Sequence, residues 1–377
     1  MKGMRSWAEI DLAKLERNLK LIRDSIPQNF QYISVVKADA YGHGILPTAS
    51  RLMQSGVDLF AVANVKEASE IREMGSGWPI LVLGPLLEEE DEALIDLDII
   101  PSVSSVAEVA RFQKLSEKAE KKITVHLKVD TGMGRMGSWW EKAPQVIHEI
   151  NASDGIKLKG ILTHFAEPSN EEFSRLQRNR FQKIVQECLP SPLPSDFIIH
   201  ADNSSSLKIM EKNSVFNAVR IGLLQFGVTP PINSALSHIP VEPVLSFHAK
   251  LALVKELPAQ TSLSYGRLHT LDRPSRIGII SAGYGDAIPL HCGNQASALI
   301  RGKSYPLVGR VTMDQTLIDL TEGPDNLANG EVVTLIGEQS ASSIPLETLA
   351  LHGKTIPWEL LCSITKRVPR IYLTKRE

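Results

Sequence analysis

A lysine stands directly after a short apolar run near the start of the chain. The run Tyr32–Val36 is followed by Lys37-Ala38-Asp39-Ala40-Tyr41-Gly42-His43-Gly44. An amine at the end of an apolar strand can be desolvated enough to form a Schiff base with an aldehyde cofactor. A lysine at a barrel rim can also lay its stem along apolar surface with its charge in water, and Lys37 by itself favours that simpler interpretation.

A second run leads into a glycine-rich segment. Ile123–Val129 contains Lys128 and is followed by Asp130-Thr131-Gly132-Met133-Gly134-Arg135-Met136-Gly137. Glycines at this density let the backbone approach a ligand closely, and a guanidinium such as that of Arg135 can bind a carboxylate through two parallel hydrogen bonds. The alternative is a glycine-rich turn with a surface arginine. The spacing does not match the GxGxxG fingerprint of dinucleotide-binding folds.

Two later runs end in polar residues. His164 follows Leu158–Thr163, although a single histidine at a strand end is more often a structural hydrogen-bonding group than a catalyst. Asn203 and Ser204 come soon after Phe197–His200. Small polar side chains before a helix can bind an anion at its N-terminus or can simply cap it.

The last of these runs, Ala218–Ile221, contains Arg220 and is followed by Gly222 and Leu223. In (β/α)₈ enzymes, phosphate often binds at the loops after strands seven and eight. Together, the residues at the ends of the runs suit a phosphorylated aldehyde cofactor and an amino-acid carboxylate. The set is Lys37, Tyr41, Arg135, His164, Ser204, Arg220 and Gly222.

The runs themselves predict the elements that position these side chains. Each run is short, rich in β-branched residues or leucine, and without clean period-two alternation, as in buried parallel strands. Between them, segments such as Val106–Lys121 and Glu171–Cys188 have apolar residues at helical spacing. This alternation predicts a (β/α)₈ TIM barrel, with a doubly wound open sheet as the rival. The predicted strands are Tyr32–Val36, Leu59–Ala63, Ile80–Leu83, Ile99–Val103, Ile123–Val129, Leu158–Thr163, Phe197–His200 and Ala218–Ile221.

The pattern changes after a cluster of prolines at residues 229–244, which predicts a linker. Beyond it, short runs bounded by Gly, Pro, Asp and Asn predict an all-β domain, and Trp7–Ile10 also reads as a strand. We therefore expect a barrel over residues 11–235 and a β-rich domain over residues 236–377 plus 1–10. The predicted strands of the second domain are Leu245–Lys255, Arg276–Ser281, Ala298–Ile300, Gln315–Leu320 and Glu331–Ile336.

Composition excludes several other classes of protein. The 41 Lys and Arg nearly balance the 43 Asp and Glu, which gives no sign of a nucleic-acid or anionic-membrane partner. Cys188, Cys292 and Cys362 have neither CxxC nor metal-ligand spacing, so we expect reduced thiols. No run reaches the roughly 18 apolar residues of a membrane span, and the N-terminus lacks a signal-peptide h-region. A cytoplasmic location follows by default.

Taken in order, the motifs resemble those of the alanine racemase family across essentially the whole chain. The segment that contains Lys37 is the most specific of them, because it looks like the cofactor-lysine motif of that family. The matching segments are Val35–Gly44, Val129–Arg135, Thr163–Phe165, Asn203–Ser204, Ser264–Gly266, Gly283–Asp286, Val308–Asp314 and Arg367–Arg370.

The resemblance implies a pyridoxal phosphate (PLP) enzyme with a barrel, a β-rich domain and a head-to-tail homodimer whose active sites are shared between subunits. Lys37 would hold the cofactor as an internal aldimine, and Arg220 would face the pyridine nitrogen. The remaining cofactor-binding residues implied are Tyr41, Asn203, Ser204, Gly222 and Leu223.

The resemblance also implies two acid/base groups on opposite faces of the substrate, Lys37 and the partner subunit's Tyr265, with the tyrosine coupled through His164 to Arg220. In some family members the lysine that corresponds to Lys128 is carbamylated. The substrate carboxylate would meet Arg135 and the region of Met313 and Asp314, and Tyr284 and Arg310 would lie at the substrate entrance.

Four positions depart from the pattern usual in the family. Trp358 stands where a tyrosine normally reaches the phosphate, and an indole N–H can donate but offers no hydroxyl. Ile221 replaces a common proline, Thr312 a frequent cysteine and Leu290 a common arginine. These changes leave the proton-transfer residues intact but open the question of substrate breadth.

Three alternatives remain at this stage. A racemase of broader specificity, or one that prefers serine, is the most serious because of Trp358. A PLP-dependent decarboxylase of basic amino acids shares the architecture, but Arg220 and the Ser264-Tyr265-Gly266 segment argue against it. A PLP-binding homeostasis protein, the non-enzymatic alternative, resembles the barrel alone.

Overall fold

The computed structural model describes residues 3–206, 215–229 and 239–374. The chain divides into two compact units. The barrel unit comprises Leu15–Ala40 and Ile45–Glu242, and the β-rich unit comprises Met1–Lys14, Tyr41–Gly44 and Pro243–Glu377. The domain bounds predicted above stay a prediction.

The chain begins with strand β1 (Ser6–Asp11) and helix α1 (Leu12–Ser25), and then enters the barrel. Among the described residues, eight parallel strands form its wall, each paired with the next along the chain, and the last of them, β10, pairs with the first, β2, to close it. A short strand, β7 (Ser138–Trp139), adds to the end of β6. The wall strands are β2 (Gln31–Val35), β3 (Leu59–Val62), β4 (Ile80–Val82), β5 (Ile100–Val103), β6 (Ile123–Asp130), β8 (Ile156–Leu162), β9 (Ile198–Asn203) and β10 (Ala218–Ile221).

This closed sheet confirms the predicted (β/α)₈ barrel and shows that the open-sheet alternative was wrong. Each predicted run overlaps one wall strand. Strands β3 and β4 are buried along their whole length, because the barrel interior covers one face and helices cover the other.

Helices connect the wall strands, and polar caps begin several of them. Asn64, Ser105 and Asn170 each accept a hydrogen bond from the backbone three residues later. The longest helix matches its predicted bounds and buries Phe181, Ile184 and Val185 among other residues. The helices are α2 (Lys37–Tyr41), α3 (Ile45–Gln54), α4 (Val65–Glu73), α5 (Asp91–Asp96), α6 (Val106–Ala119), α7 (Ala143–Ala152) and α8 (Glu171–Cys188).

The β-rich unit is built around the long strand β11 (Leu245–Leu257). In this unit β1 pairs antiparallel with β11 and parallel with β20 (Arg370–Leu373). Strands β11, β14, β17, β16, β15 and β18 pair in that order, and β18 returns to β11, so they close a ring. The remaining strands of the unit are β12 (Ser262–Leu263), β13 (His269–Thr270), β14 (Ser275–Ile280), β15 (Ser297–Ile300), β16 (Lys303–Val308), β17 (Thr316–Asp319), β18 (Val332–Gln339) and β19 (Ser342–Ile344).

The strands predicted for this unit are confirmed, but the unit is not purely β. Two short helices, α9 (Leu346–His352) and α10 (Pro357–Cys362), occur in its described part. Both are too short for a clear helical period in the sequence. Pro357 at the first position of α10 suits a helix start, because its fixed φ is already helical and its missing N–H has no partner there.

The predicted linker lies mostly outside the described residues, including Pro230 and Pro231. None of the helices in the described ranges is long and apolar enough to cross a lipid bilayer.

Candidate active site

Lys37 lies just beyond the end of β2, where the backbone enters an unusual turn. Val36 is buried and Lys37 is half-buried. Residues Ala38 to Tyr41 then all have φ near +54°, so α2 is a left-handed turn made of residues that carry a Cβ atom. Such a conformation is costly outside glycine. It directs the chain away from the strand at the point where the lysine side chain begins.

Arg220 on β10 is buried and bound entirely by uncharged acceptors. Its two terminal nitrogens donate to the carbonyl oxygens of Thr163, His200 and Ala201 at 2.7, 2.9 and 3.0 Å. They also lie 3.1 Å from the Nδ1 atoms of His164 and His200. Burial lowers the pKa of Arg220 to about 10, although Asp202 opposes the shift. The guanidinium remains charged at neutral pH.

Within the described part of the chain, no hydrogen bond uses the Nε–H of Arg220. That N–H can therefore donate to an acceptor on a ligand, and an unprotonated ring nitrogen would fit it. A guanidinium does not readily give up its proton, so a ring held in this way would stay less electron-withdrawing than one that faces a carboxylate.

His164 is held in one neutral form. Its Nδ1 atom accepts from Arg220 and lies 3.3 Å from the amide nitrogen of Asn203. Burial, followed by the positive charge of Arg220, lowers the pKa of His164 well below its usual range. Because Arg220 can only donate, the neutral imidazole carries its proton on Nε2 and presents an N–H donor there.

A second pair of imidazoles extends the network into the barrel. His200 Nε2 lies 3.0 Å from His126 Nδ1, and both side chains are fully buried. Burial lowers the pKa of both, that of His126 to about 3. Since Arg220 donates to His200 Nδ1, His200 donates from Nε2 to His126. The motifs in the sequence predict no role for these two histidines, although a polar residue inside an apolar run is a usable signal.

Lys128 on β6 is buried, with only 6% of its surface exposed. Burial, and then the charges of Arg220 and Arg135, lower its pKa well below the usual range. A Cβ on Gly137 would come within 2.9 Å of the Lys128 side chain, which explains a glycine at this position.

The glycine-rich segment after β6 is ordered by its own aspartate. The Asp130 carboxylate accepts from the backbone N–H groups of Gly132, Met133 and Gly134 at 2.9 to 3.2 Å. These bonds shape the loop and leave Arg135 exposed at its tip. Arg135 is near enough to lower the pKa values of Lys128 and His164.

Ser204 and the residues after β10 form a cradle of donors. The Ser204 hydroxyl accepts from the N–H of Gly222 at 3.1 Å and of Leu224 at 3.5 Å. These groups lie at the ends of the seventh and eighth wall strands, which is where (β/α)₈ enzymes bind phosphate. A hydroxyl beside successive amides therefore fits the phosphate group of PLP.

In the β-rich unit, the predicted residues lie on exposed turns. Tyr265 is 72% exposed, Met313 52% and Tyr284 46%. Ser264, which precedes Tyr265, has a φ of 59° and its hydroxyl donates to the Arg310 carbonyl at 2.7 Å. The turn that carries the tyrosine is thus held in a defined shape while its ring stays open.

Arg367 links two other motifs of this unit, those that contain Asp286 and Asp314. Arg367 donates to Asp286 at 2.9 Å and to Asp314 at 2.8 Å. The N–H of Gly285 donates to the Met313 carbonyl at 2.9 Å. The pairing with Arg367 favours a role for Asp314 in shaping the turn that contains Met313.

Trp358, the residue that departs from the usual tyrosine of the family, is half-buried in α10.

The structure therefore groups the predicted residues of the barrel unit at one end of the barrel. Arg220, His164 and Asn203 form one network, and Ser204 and Gly222 form another. The positive charge of Lys37 also contributes to the lowered pKa of His164, so the lysine lies near the first network. An amine, a phosphate cradle and a buried arginine with a spare N–H are the groups that PLP requires.

Comparison with known proteins gives one family. Two family models match, "Alanine racemase, N-terminal domain" over residues 10–230 and "Alanine racemase, C-terminal domain" over residues 244–372. The alanine racemase of Halothermothrix orenii is 37% identical over 372 residues, covering 98% of this chain and 97% of that protein.

Solved structures agree. An alanine racemase from Clostridium difficile 630 superposes with a TM-score of 0.92 at 30% identity, covering 99% of this chain and 97% of that one. One from Bartonella henselae with covalently bound pyridoxal phosphate gives 0.88 at 27% identity, covering 98% and 100%. Because both domains match, the chain is not the barrel-only binding protein considered above. It belongs to the alanine racemase family of PLP-dependent isomerases.

Proposed function

We propose that this protein interconverts L-alanine and D-alanine, with Lys37 and Tyr265 as two acid/base groups that serve opposite faces of the substrate Cα. The observation that carries the proposal is the buried Arg220–His164 pair at the end of the barrel. Arg220 supplies a cation for the cofactor ring, and His164 supplies a fixed Nε2–H donor for Tyr265.

When bound, PLP supplies the electron sink that makes the Cα proton acidic. Ser204, Gly222 and Leu223 would hold its phosphate, and the Nε–H of Arg220 would donate to its ring nitrogen. The family resemblance adds Tyr41 and Asn203 to the cofactor site, and these assignments stay predictions. Lys37 would hold the cofactor and exchange a proton with one face of the substrate Cα.

Tyr265 serves the other face. An unperturbed tyrosine has a pKa of about 10, so forming its phenolate at neutral pH costs about 4 kcal/mol. His164 reduces this cost, because its Nε2–H can donate to the phenolate oxygen while Arg220 supports the imidazole from Nδ1. The exposure of Tyr265 in the β-rich unit supports its use by a second copy of the chain, and hence a homodimer with shared sites.

The substrate carboxylate binds Arg135 and the backbone N–H of Met313. Asp314 bears the same charge as that carboxylate, so it acts through Arg367 on the shape of the turn. Tyr284 and Arg310 lie at the substrate entrance. Lys128 suits carbamylation, because it is buried, its pKa is lowered by burial and by the charges of Arg220 and Arg135, and a carbamate would offset those charges.

D-alanine supply for peptidoglycan is the physiological role that the family implies. None of the three cysteines forms a disulfide, which supports a cytoplasmic location. Trp358 keeps a second candidate open, a racemase of broader specificity or one that prefers serine.

The test follows the Cα proton of L-alanine, L-serine and L-lysine in D₂O by NMR, with chiral chromatography of the products. We expect rapid exchange with D-alanine formed, and loss of both in Lys37→Ala. Faster turnover of serine or lysine than of alanine would instead support the second candidate, a racemase of broader specificity or one that prefers serine. Protein that carries PLP but exchanges no amino acid would disprove the racemase.

A further inference from the structure

The left-handed turn after Lys37 needs something to hold it. Residues Ala38 to Tyr41 have φ values of 53° to 54°, although none of them is glycine. Left-handed turns of this kind are unfavourable for residues with a Cβ atom and persist only where the surroundings impose them. Within the turn, the Ala40 N–H donates to the Val36 carbonyl at 2.9 Å. Asp39 also accepts from the Ile45 N–H at 2.7 Å.

Glu67 contacts the backbone amide that directly follows the lysine. One oxygen of its carboxylate accepts from the Ala38 N–H at 2.7 Å, the amide directly after Lys37. The other accepts from the Ala63 N–H at 2.8 Å, the amide directly after β3. Because β2 and β3 are neighbouring wall strands, a single carboxylate ties together the ends of both.

Helix capping alone does not explain this arrangement. Glu67 is the third residue of α4, and Asn64 caps that helix by accepting from the Glu67 N–H. Glu108 occupies the same place in α6, behind the cap Ser105, and its carboxylate accepts from the Ser104 N–H at 2.8 Å. Both glutamates thus bind the amide just before their cap residue.

The two glutamates differ in their other hydrogen bond. The Glu108 carboxylate accepts from the Ser104 N–H and the Ser105 hydroxyl, both of which lie next to its own helix. Glu67 instead reaches 29 residues back to the turn after Lys37. A charged acceptor on a backbone N–H is among the stronger hydrogen bonds in proteins.

We propose that Glu67 is a positioning residue for Lys37, whose carboxylate bridges the Ala38 and Ala63 amides and so holds the left-handed turn that aims the lysine amine. The inference rests on the proposed role of Lys37 as the cofactor lysine. Glu67 itself contacts neither cofactor nor substrate in this assignment.

The first test is amide hydrogen exchange on the full chain, with and without PLP. Glu67→Ala removes both carboxylate oxygens, and Glu108→Ala is the matched control. We expect faster exchange at both Ala38 and Ala63 in Glu67→Ala, while Glu108→Ala speeds exchange at Ser104 and leaves Ala38 unchanged. Unchanged exchange at Ala38 in Glu67→Ala would overturn the proposal.

The second test is the rate at which PLP becomes covalently attached to Lys37, trapped with borohydride and quantified by intact mass. Loss of a charged hydrogen bond predicts attachment about tenfold slower in Glu67→Gln, with Glu108→Gln within about twofold of wild type. Glu67→Asp, whose shorter carboxylate cannot span both amides, gives the same direction if Glu67→Gln folds poorly. Attachment at the wild-type rate in folded Glu67→Gln and Glu67→Asp would contradict the proposal and leave Glu67 with a role in helix capping alone.

The two failures can be told apart. If wild-type protein takes up no PLP, the proposed function fails, whereas hydrogen exchange in the absence of PLP still decides whether Glu67 holds the turn.

Discussion

The Nδ1 atom of His164 lies 3.1 Å from a terminal nitrogen of Arg220, which also binds the backbone carbonyls of Thr163 and Ala201. A guanidinium can only donate, so the bond fixes the histidine proton on Nε2. The histidine that we propose to couple to Tyr265 is therefore oriented by the same arginine that we assign to the cofactor ring.

Replacing His164 by phenylalanine removes the Nε2–H donor while keeping a ring of similar volume. We expect kcat to fall about a hundredfold, because Tyr265 loses the donor that stabilises its phenolate. The effect should be selective for one face of Cα. Exchange of the Cα proton in D₂O, followed separately from L-alanine and from D-alanine, should show the same affected direction in His164→Phe and Tyr265→Phe. Equal slowing from both enantiomers would contradict the assignment.

The buried imidazoles predict how stability depends on pH. His126, His164 and His200 have pKa values lowered by burial, to about 3 for His126, whereas in the unfolded chain they titrate near 6.5. Below about pH 6.5 the unfolded state therefore binds more protons than the folded state, and the free energy of unfolding falls as the pH decreases. Above that pH these three groups do not make the free energy of unfolding depend on pH.

Urea unfolding between pH 8 and pH 5 measures this effect. His126→Phe should show a smaller loss of stability on acidification, since one of the three groups is gone. His148 is an unburied control, and His148→Phe should keep the wild-type slope. A wild-type stability that does not change over this range would refute the neutral state of the network.

Ser204 is expected to act on the phosphate group alone. Ser204→Ala should weaken PLP binding about tenfold, because the cradle loses one hydroxyl. Binding of pyridoxal, which lacks the phosphate, should hardly change. The neighbouring Ser205→Ala is the matched control and should bind both compounds like wild type. Equal weakening for both compounds would point to a general loss of structure instead.

Lys128 should react with carbon dioxide. Its lowered pKa increases the share of neutral amine, and the neutral nitrogen can attack CO₂ with loss of one proton to give a carbamate. In ¹³C-labelled bicarbonate, we expect a carbamate signal by NMR that is absent in Lys128→Met. A signal of equal size in that variant would assign the carbamate to another amine.

Gly42 is a test of packing in the β-rich unit. Its φ is +79°, and a Cβ would lie 2.2 Å from the Leu361 carbonyl oxygen on α10. Gly330 has a similar φ of +94° but open space around it. Gly330→Ala therefore measures the backbone cost alone, about 1 kcal/mol, and Gly42→Ala should cost roughly 2 kcal/mol more. Thermal unfolding that shows equal costs would mean that the α10 contact yields without penalty.

Local features of the sequence were enough to predict the wall strands and the residues at their ends. A buried parallel strand requires a continuous apolar run, and the residue after the run must lie at the rim of the barrel. Lys37, Arg135, His164, Ser204 and Gly222 could be placed for this reason. Helices α9 and α10 could not, because a helix of one or two turns shows too little period to distinguish it from a loop.

Only the tertiary structure revealed the partners of these residues. His126 and His200 are 74 residues apart and meet because the barrel closes and directs both side chains inward. Glu67 meets Ala38 because β2 and β3 end side by side and the left-handed turn directly follows β2. The sequence by itself determined which chemical groups stand at the barrel rim, because a strand followed by a loop is a local property. Their protonation states and directions depend on burial and on distant contacts, which exist only once the chain has folded.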